Sequence, residues 1–314
     1  MTPSHQRSDP PPSGRTARRL EWQFLPPHIR RRVEAECGSP VVAAESQGGG
    51  FTPGFASVLT CDDGSLHFVK AASVKAQRMF ALSYREEARK LRTLQDLVPA
   101  PRLLWSHDDD DWVVLGFEYV DARLPERPWR AVDLDRLLDA LESVAAAQPP
   151  IDAGLDPIEE DLAGLPAYWQ TIRERHPDLA HVDEAAALAA RFGEVLVGDV
   201  VQHTDIRDDN TLLGADQLWI CDWNWPVLAA PWFDTLCALI GPRGDGLDVE
   251  SVLAARPLTR EVPAEHIDIG LALLAGHFLK SADDPAPPTS PHLRDAQAWQ
   301  GRVVWEWLAE RRDW

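Results

Sequence analysis

The segment from His203 to Asp222 combines carboxylates, an amide and a cation in an order that suits the transfer of a phosphoryl group. Asp205 can accept the proton of an attacking hydroxyl group, and Arg207 can face a phosphate. Asn210 and Asp222 offer the oxygen ligands that Mg²⁺ prefers. Because phosphoryl transfer requires the protein mainly to position the nucleophile, hold the metal and neutralise charge, this segment predicts a magnesium-dependent phosphotransferase.

The spacing of these residues is more specific than their types. His203, Asp205 and Asn210 follow the pattern HxDxxxxN, and Asp222 comes twelve residues after Asn210. Two short apolar runs separated by a turn lie between them, at residues 211–213 and 218–221. This pattern predicts a hairpin that returns Asp222 to the side of Asn210, which favours one shared metal site.

Lys70 and Glu87 are two further residues that could take part in binding a nucleotide. Lys70 lies near the end of a predicted strand and shares its face with Phe68, whereas Glu87 falls on the apolar stripe of a helix predicted over residues 76–94. Alone, Lys70 is typical of an edge lysine that reaches solvent. A charge on an apolar stripe needs a partner, however, so the two residues together predict an ion pair that orients the ammonium group against nucleotide phosphates.

A glycine-rich turn at Gly48, Gly49 and Gly50 precedes the strand predicted at residues 55–61. Such turns expose backbone amides to a phosphate and let the chain approach it closely. The signal is weak alone, since the turn contains neither the GxGxxG nor the GK[ST] pattern. Its position ahead of the strand that carries Lys70 makes it a candidate nucleotide-binding element.

The chain length of 314 residues fits about two domains at roughly 150 residues each. Residues 1–18, rich in Pro, Ser and Arg, predict a disordered tail. Residues 19–120 are rich in strand patterns and residues 121–314 in helix patterns, with a linker near residues 118–123. Strands are predicted at 55–61, 66–71, 102–105 and 112–120, and helices at 27–36, 76–94, 133–147, 168–175, 183–195 and 295–310.

The net charge of −19 disfavours nucleic acid as a partner and favours a cationic small substrate, although acidic surfaces also serve solubility. The longest apolar stretch, residues 269–279, is too short for a membrane span, and no secretory signal follows the N-terminal arginines, so we expect a cytoplasmic protein. The four cysteines form no CxxC pair, which predicts reduced core thiols rather than a disulfide framework or a structural zinc site. They are Cys37, Cys61, Cys221 and Cys237.

Taken together, residues from about 40 to 310 resemble the aminoglycoside phosphotransferase family, which is related to choline kinases and shares the protein-kinase-like fold. The resemblance implies a bilobal α+β fold, with a small antiparallel-sheet N-lobe that binds the nucleotide and a larger, mainly helical C-lobe. It implies ATP and Mg²⁺ as cofactors, with Asp205 as the catalytic residue and Asn210 and Asp222 as the metal ligands.

By the same resemblance, Lys70 and Glu87 hold the ATP phosphates, and Arg207 lies near the transferred phosphate. An adenine-binding hinge is implied for three consecutive residues, Glu118, Tyr119 and Val120. His203 and Asp234 are implied to be structural.

The chain also departs from the family pattern. Thr204 stands where the family usually has glycine, and Asp-Trp-Asn-Trp-Pro from residue 222 replaces the Asp-Phe-Gly of protein kinases. Trp223 and Trp225 can contact a ligand, but aromatic residues beside a buried strand end more often lie in the core, which is the expectation here. Asp208 and Asp209 can meet a cationic substrate, but loop capping is the more common role for such residues.

Several alternatives stay open. A protein kinase needs a long activation segment, and only eleven residues separate Asp222 from Asp234, so a small-molecule kinase is favoured. A nucleotide-binding pseudoenzyme with a regulatory role is a rival, and a zinc hydrolase built on His203 is a weaker one. The acceptor hydroxyl can belong to an aminoglycoside or another cationic antibiotic, or to a metabolite such as an amino alcohol or a sugar. GTP is not excluded as the donor, and the oligomeric state is not indicated.

Overall fold

The computed structural model describes residues 16–51, 53–147, 149 and 153–314. Within them, a five-stranded antiparallel sheet with the order β1-β2-β3-β5-β4 forms the N-terminal part. Its strands are β1 (Val41–Ser46), β2 (Phe55–Cys61), β3 (Leu66–Ser73), β4 (Leu103–Asp108) and β5 (Trp112–Glu118). The predicted α+β architecture, with a sheet lobe followed by a mainly helical lobe, is confirmed.

The hairpin between β2 and β3 sets which side chains face the site. Its turn is closed by Asp63, whose carboxylate accepts the N–H of Ser65 at 2.9 Å, and by Gly64 with a φ of 85°. The register pairs Ala56 with Lys70. Because strand side chains alternate, Lys70 and Phe68 share one face of the sheet, on which an open cavity lies.

Two helices cover opposite faces of this sheet. Helix α1 (Pro27–Cys37) begins with a proline and ends at Gly38, which has a φ of 79°, and its Ile29 and Val33 pack against one face. Helix α2 (Arg78–Leu94) buries its predicted apolar stripe against the other face. Glu87 lies on that stripe and is therefore buried beside the strand that carries Lys70.

The C-terminal part is built from ten helices among the described residues. They are α3 (Ala131–Ala146), α4 (Ile158–Asp161), α5 (Tyr168–Arg175), α6 (Val182–Ala189), α7 (Phe192–Val195), α8 (Phe233–Ala238), α9 (Ile240–Gly244), α10 (Val249–Ala255), α11 (Ala264–Ala282) and α12 (Leu293–Arg312). Helix α11 is the buried centre, and it packs along α12. Its Gly276 lets Trp169 pack closely, because a Cβ there would lie 2.7 Å from the indole nitrogen.

Two short antiparallel pairs of strands position the loops that carry the predicted site residues. Strand β6 (Val200–Gln202) pairs with β9 (Val227–Ala229), and β7 (Thr211–Leu213) pairs with β8 (Leu218–Ile220). The second pair is the predicted hairpin. It brings the N–H of Cys221 to within 2.8 Å of the Asn210 carbonyl oxygen, so the residues on either side of the hairpin meet as expected.

The sequence predictions leave out several short elements, such as β6, β9 and α8, and two further differences have a clear physical reason. Strand β1 was not predicted, because most of its residues are exposed and small, so it shows no apolar alternation. The helix predicted over residues 183–195 is two helices, α6 and α7. The chain turns at Arg191, whose carbonyl accepts the N–H of Glu194 at 2.8 Å. Leu188 and Phe192 keep a helical spacing across the turn, which hides the break.

All four cysteines are free, as predicted, but two of them are not isolated. Cys37 at the end of α1, Cys61 at the end of β2 and His67 of β3 each offer one possible ligand atom, and these atoms lie within 4.8 Å of one another. The sequence spacing did not reveal this group. It lies on the face of the sheet that α1 covers, away from the cavity beside Lys70.

Residues 1–15 of the predicted tail lie outside the described residues. The three that are described, residues 16–18, contact the rest of the chain. Thr16 donates its N–H to the Gly48 carbonyl at 3.1 Å, and Arg18 donates its N–H to the Thr289 carbonyl at 2.8 Å. Among the described helices, none has both the length and the apolar character that crossing a membrane requires.

Candidate active site

A cavity of about 370 Å³ lies between the sheet and the β7–β8 hairpin. It brings together residues that are far apart in the sequence. Nine of the predicted site residues line it: Gly49, Gly50, Lys70, Glu87, Glu118, Tyr119, Val120, Asn210 and Asp222. The exceptions are Asp205 and Arg207, which lie beside it, and Gly48, which lines a separate surface depression.

The predicted contact between Lys70 and Glu87 is present. The Lys70 Nζ donates to both carboxylate oxygens of Glu87, at 2.8 and 2.9 Å, and it also contacts the carboxylate of Asp222. Burial alone lowers the pKa of Lys70, but the carboxylates of Asp222 and Glu87 outweigh this effect and raise that pKa. Lys70 therefore stays charged, and its ammonium group points from the sheet towards the carboxylate of Asp222.

The turn before Asp205 is held by Asp234. The Asp234 carboxylate accepts the N–H groups of His203 at 2.5 Å and of Thr204 at 2.8 Å. Thr204 has a φ of 68°, in the left-handed region where glycine is favoured, so these bonds stabilise a strained residue. His203 shares a hydrogen bond with the Cys221 carbonyl at 2.8 Å. These contacts support a structural role for His203 and Asp234.

Asp205 lies beside this cavity, and neighbouring residues cover more than half of its side-chain surface. Asn210 donates to its carboxylate at 3.1 Å and to its carbonyl at 2.9 Å, and Arg207 lies 3.1 Å from its other carboxylate oxygen. Burial raises the pKa of Asp205 to about 6; the Arg207 guanidinium opposes this, while Asp209 and Asp222 add to it. Asp205 is therefore ionised at neutral pH and can accept a proton.

Asp222 and Asn210 fit a hard metal ion. Burial tends to raise the pKa of Asp222, but Lys70 outweighs it and the pKa is lowered, so the carboxylate is charged. About a third of its side chain is exposed. Asn210 uses its amide nitrogen to hold Asp205, which leaves its side-chain oxygen free of hydrogen bonds to other described residues. One charged and one neutral oxygen donor are thus available at the cavity, as Mg²⁺ coordination requires.

Arg207 is fixed between two carboxylates. Its Nε donates to Asp209 at 2.8 Å, its Nη1 faces Asp205, and the guanidinium lies over the Phe51 ring at 5.7 Å. Burial and these carboxylates act in opposite directions, and the net effect raises the pKa of Arg207, so it stays charged. The glycine-rich turn, which leads into Phe51, is thereby in contact with the loop that carries Asp205.

The next feature is the backbone of the glycine turn and of the predicted hinge. Gly50 has a φ of 76°, which a residue with a side chain adopts only with strain. The N–H of Glu118 bonds the Arg102 carbonyl at 3.0 Å, whereas the N–H groups of Tyr119 and Val120 donate to no other described residue. Both residues line the cavity next to the end of β5.

A second cavity of about 450 Å³ adjoins the first, and Gly49, Gly50 and Asp209 line both. Aromatic side chains from three parts of the chain contribute to its wall, namely Phe51, Trp129 and Trp299. Arg207 and Asp208 lie at its edge, directly after Asp205 in the sequence. A molecule bound in this cavity would lie beside Asp205.

Solved structures of other proteins have a similar architecture. A choline kinase from Streptococcus pneumoniae superposes with a TM-score of 0.60 over 90% of this chain and 99% of its own, at 14% identity. The chain has the fold of the choline kinases and aminoglycoside phosphotransferases. A spectinomycin phosphotransferase in complex with ADP and spectinomycin gives a TM-score of 0.61 over 91% of this chain and 98% of its own, at 12% identity.

An aminoglycoside phosphotransferase from Alicyclobacillus acidocaldarius gives a TM-score of 0.58 over 87% of this chain and 92% of its own, at 14% identity. No protein-family model and no curated protein matches the sequence. The predicted protein-kinase-like fold is confirmed, with the sheet as its N-lobe and the helical part as its C-lobe.

Sequence reasoning was wrong for one of the two tryptophans after Asp222. Trp223 is 1% exposed, packs edge-on against His203 at 4.7 Å, and is a core residue as predicted. Trp225 is 46% exposed, because the chain leaves the core between Trp223 and strand β9. Sequence reasoning also missed Arg19, which lines the first cavity from a segment that carries no motif.

Proposed function

We propose that the protein is an ATP- and Mg²⁺-dependent phosphotransferase that moves the γ-phosphoryl group to a hydroxyl group of a small molecule. One observation carries the proposal: Lys70, held by Glu87, reaches Asp222 across the cavity, and Asn210 on the same side holds Asp205. A cation for the phosphates, oxygen donors for a metal and a proton acceptor thus surround one space. The protein-kinase-like fold is consistent with this use.

The donor nucleotide would occupy the cavity that Lys70 lines. Its adenine edge would meet the free N–H groups of Tyr119 and Val120, and its phosphates would meet Lys70 and the amides of the glycine turn. Asp222 and Asn210 would hold Mg²⁺, which neutralises charge on the phosphates when it is bound. Lys70 and Glu87 orient each other, so the ammonium group needs little reorganisation to meet the phosphates.

The acceptor would bind in the second cavity, beside Asp205. Its hydroxyl oxygen forms a bond to the γ-phosphorus, the bond between that phosphorus and the ADP oxygen breaks, and the hydroxyl proton passes to the Asp205 carboxylate. The charge on Asp205 and its hydrogen bond from Asn210 hold the carboxylate ready for that proton.

The charges in the second cavity favour an acceptor with few ammonium groups. Asp208 is paired with Arg127 at 3.5 Å, and Asp209 is paired with Arg207 at 2.8 Å. Among the acidic residues that line this cavity, this leaves the exposed Glu126 without an ion pair to another described residue. A neutral or singly cationic hydroxylated molecule with an apolar face fits the aromatic wall better than a polycationic antibiotic.

An acceptor screen tests the proposal. The protein is incubated with Mg²⁺ and ATP, or GTP in a parallel series, and with neutral sugars and glycosides, amino alcohols, and polycationic aminoglycosides. We expect ADP formation together with the mass gain of one phosphoryl group on a neutral or singly cationic acceptor. Nucleotide binding without a mass gain on any acceptor would instead favour the regulatory pseudoenzyme.

The pH profile should report the ionisation of Asp205. Its pKa of about 6 in the free protein predicts that kcat/KM falls as the pH drops through about 6, because Asp205 gains a proton there and can no longer accept one. The Arg207 guanidinium holds this pKa down, so Arg207→Gln should move the acid limb to higher pH, whereas Arg207→Lys should move it less. An acid limb that is the same in Arg207→Gln and the wild type would contradict the assignment.

A further inference from the structure

The segment ahead of the first helix is bonded to the glycine-rich turn. Thr16 donates its N–H to the Gly48 carbonyl at 3.1 Å and its hydroxyl to the Gly50 carbonyl at 2.5 Å. Arg19 donates through Nη2 to the Gly49 carbonyl at 2.6 Å. All three glycines of the turn are therefore held by residues 16–19, which the sequence did not connect with the site.

Arg19 brings a positive charge to the point where the two lobes meet. It lines the cavity proposed for the nucleotide. The position that a Cβ on Gly50 would occupy lies 3.4 Å from Arg19 Nη2 and 3.6 Å from a carboxylate oxygen of Asp209, so the guanidinium reaches the vicinity of the C-lobe loop. Its charge also helps to lower the pKa of Asp222, after the larger effect of Lys70.

The hydrogen-bonding capacity of this guanidinium is not used up. In the part of the chain that the structure describes, Arg19 forms no ion pair, and its one side-chain hydrogen bond is to Gly49. Its Nε is buried and has no partner. Lys70 and Arg207, the other cations nearby, are each bound to carboxylates. A guanidinium has five N–H donors and Arg19 uses one of its nitrogens on Gly49, which leaves donors for an acceptor that enters the cavity.

We infer that Arg19 is a second phosphate-binding cation, which acts with Lys70 on the terminal phosphates of the nucleotide. The guanidinium can bind two phosphate oxygens at once, which the ammonium group of Lys70 cannot do with the same geometry. It lies at the glycine turn and near Asp209, which lines both cavities, so it is on the side of the first cavity that adjoins the second. This inference rests on the proposed function and adds a residue outside the motifs that predicted it.

Calorimetric titration of the full chain tests the inference without an acceptor. Arg19→Gln removes the charge and leaves a shorter, neutral polar side chain, and Arg19→Lys keeps the charge. Arg18→Gln is the matched control, because Arg18 is exposed and lines no part of this cavity. The ligands are a non-hydrolysable ATP analogue with Mg²⁺, and AMP.

We expect Arg19→Gln to bind the ATP analogue about tenfold or more weakly, because the charge-assisted hydrogen bonds to the phosphates are lost. AMP affinity should stay the same, and Arg19→Lys should recover part of the loss. Equal weakening for AMP and the ATP analogue, or unchanged binding of both, would overturn the role of Arg19 while the proposed function stands. A wild-type protein that binds no nucleotide would overturn the proposed function and the role of Arg19 together.

Discussion

Asp205→Asn should lower turnover by roughly 10²–10⁴-fold, the usual contribution of a positioned general base. The amide has nearly the shape of the carboxylate but cannot accept the hydroxyl proton. The variant changes the contacts of residue 205 with Asn210 and Arg207, but the Asp234 carboxylate still accepts the N–H groups of His203 and Thr204, so the fold should be retained. The measurement is the initial rate of ADP formation with the acceptor found in the screen, together with the melting temperature of both proteins.

The control for this variant is Asp216→Asn, the same chemical change at an exposed residue of the β7–β8 turn. It should turn over like the wild type. Nucleotide affinity should be nearly the same in all three proteins, because Asp205 does not line the cavity proposed for the nucleotide. Near-normal turnover in Asp205→Asn would remove Asp205 from the chemistry and leave the proposed function without its base.

Asp222→Asn should abolish most of the magnesium dependence of nucleotide binding. The Asp222 carboxylate lines the cavity together with Asn210, and an amide oxygen is a weaker ligand for Mg²⁺ than a carboxylate. We expect the affinity for the ATP analogue to fall at least about tenfold when Mg²⁺ is present, as losses at metal sites commonly reach 10–100-fold. Calorimetric titrations with Mg²⁺ and with a chelator measure the difference.

The same titrations on Asp216→Asn provide the control, and that variant should keep the full magnesium dependence. Loss of the Asp222 charge also frees Lys70 from one of its two carboxylate partners. Affinity without Mg²⁺ should therefore stay equal or rise slightly, because the ammonium group is then more available to the phosphates. If the ratio of the affinities with and without Mg²⁺ is the same in Asp222→Asn and the wild type, Asp222 is not a metal ligand.

The sequence alone could predict contacts that have a local or chemical signature. The hairpin from Thr211 to Ile220 has alternating apolar runs and a turn, and the structure pairs these two residues. Lys70 and Glu87 could be joined because a charge on an apolar stripe needs a partner, and their atoms meet at 2.8 Å. The resemblance to the aminoglycoside phosphotransferase family, carried by these residues and their order, implied the protein-kinase-like fold.

The remaining features depend on packing between distant segments, which leaves no periodic signal. Arg19 meets the glycine turn because the chain before α1 runs beside residues 48–50, and nothing in its sequence marks that path. The wall of the second cavity combines Phe51, Trp129 and Trp299, three aromatic residues that are individually typical of a core. The exposed Trp225 and the turn at Arg191 likewise follow from the way the chain leaves the C-lobe core.

The most direct measurement follows the γ-phosphoryl group itself. Wild type and Asp205→Asn are incubated with Mg²⁺, a pool of hydroxylated acceptors and ATP that carries an isotopic label in the γ-phosphoryl group, and the products are resolved by mass spectrometry. We predict that the wild type transfers the label to an acceptor hydroxyl and that Asp205→Asn does not. Label that stays in ATP and inorganic phosphate with the wild type, or equal transfer by both proteins, would contradict a phosphotransferase that acts through Asp205.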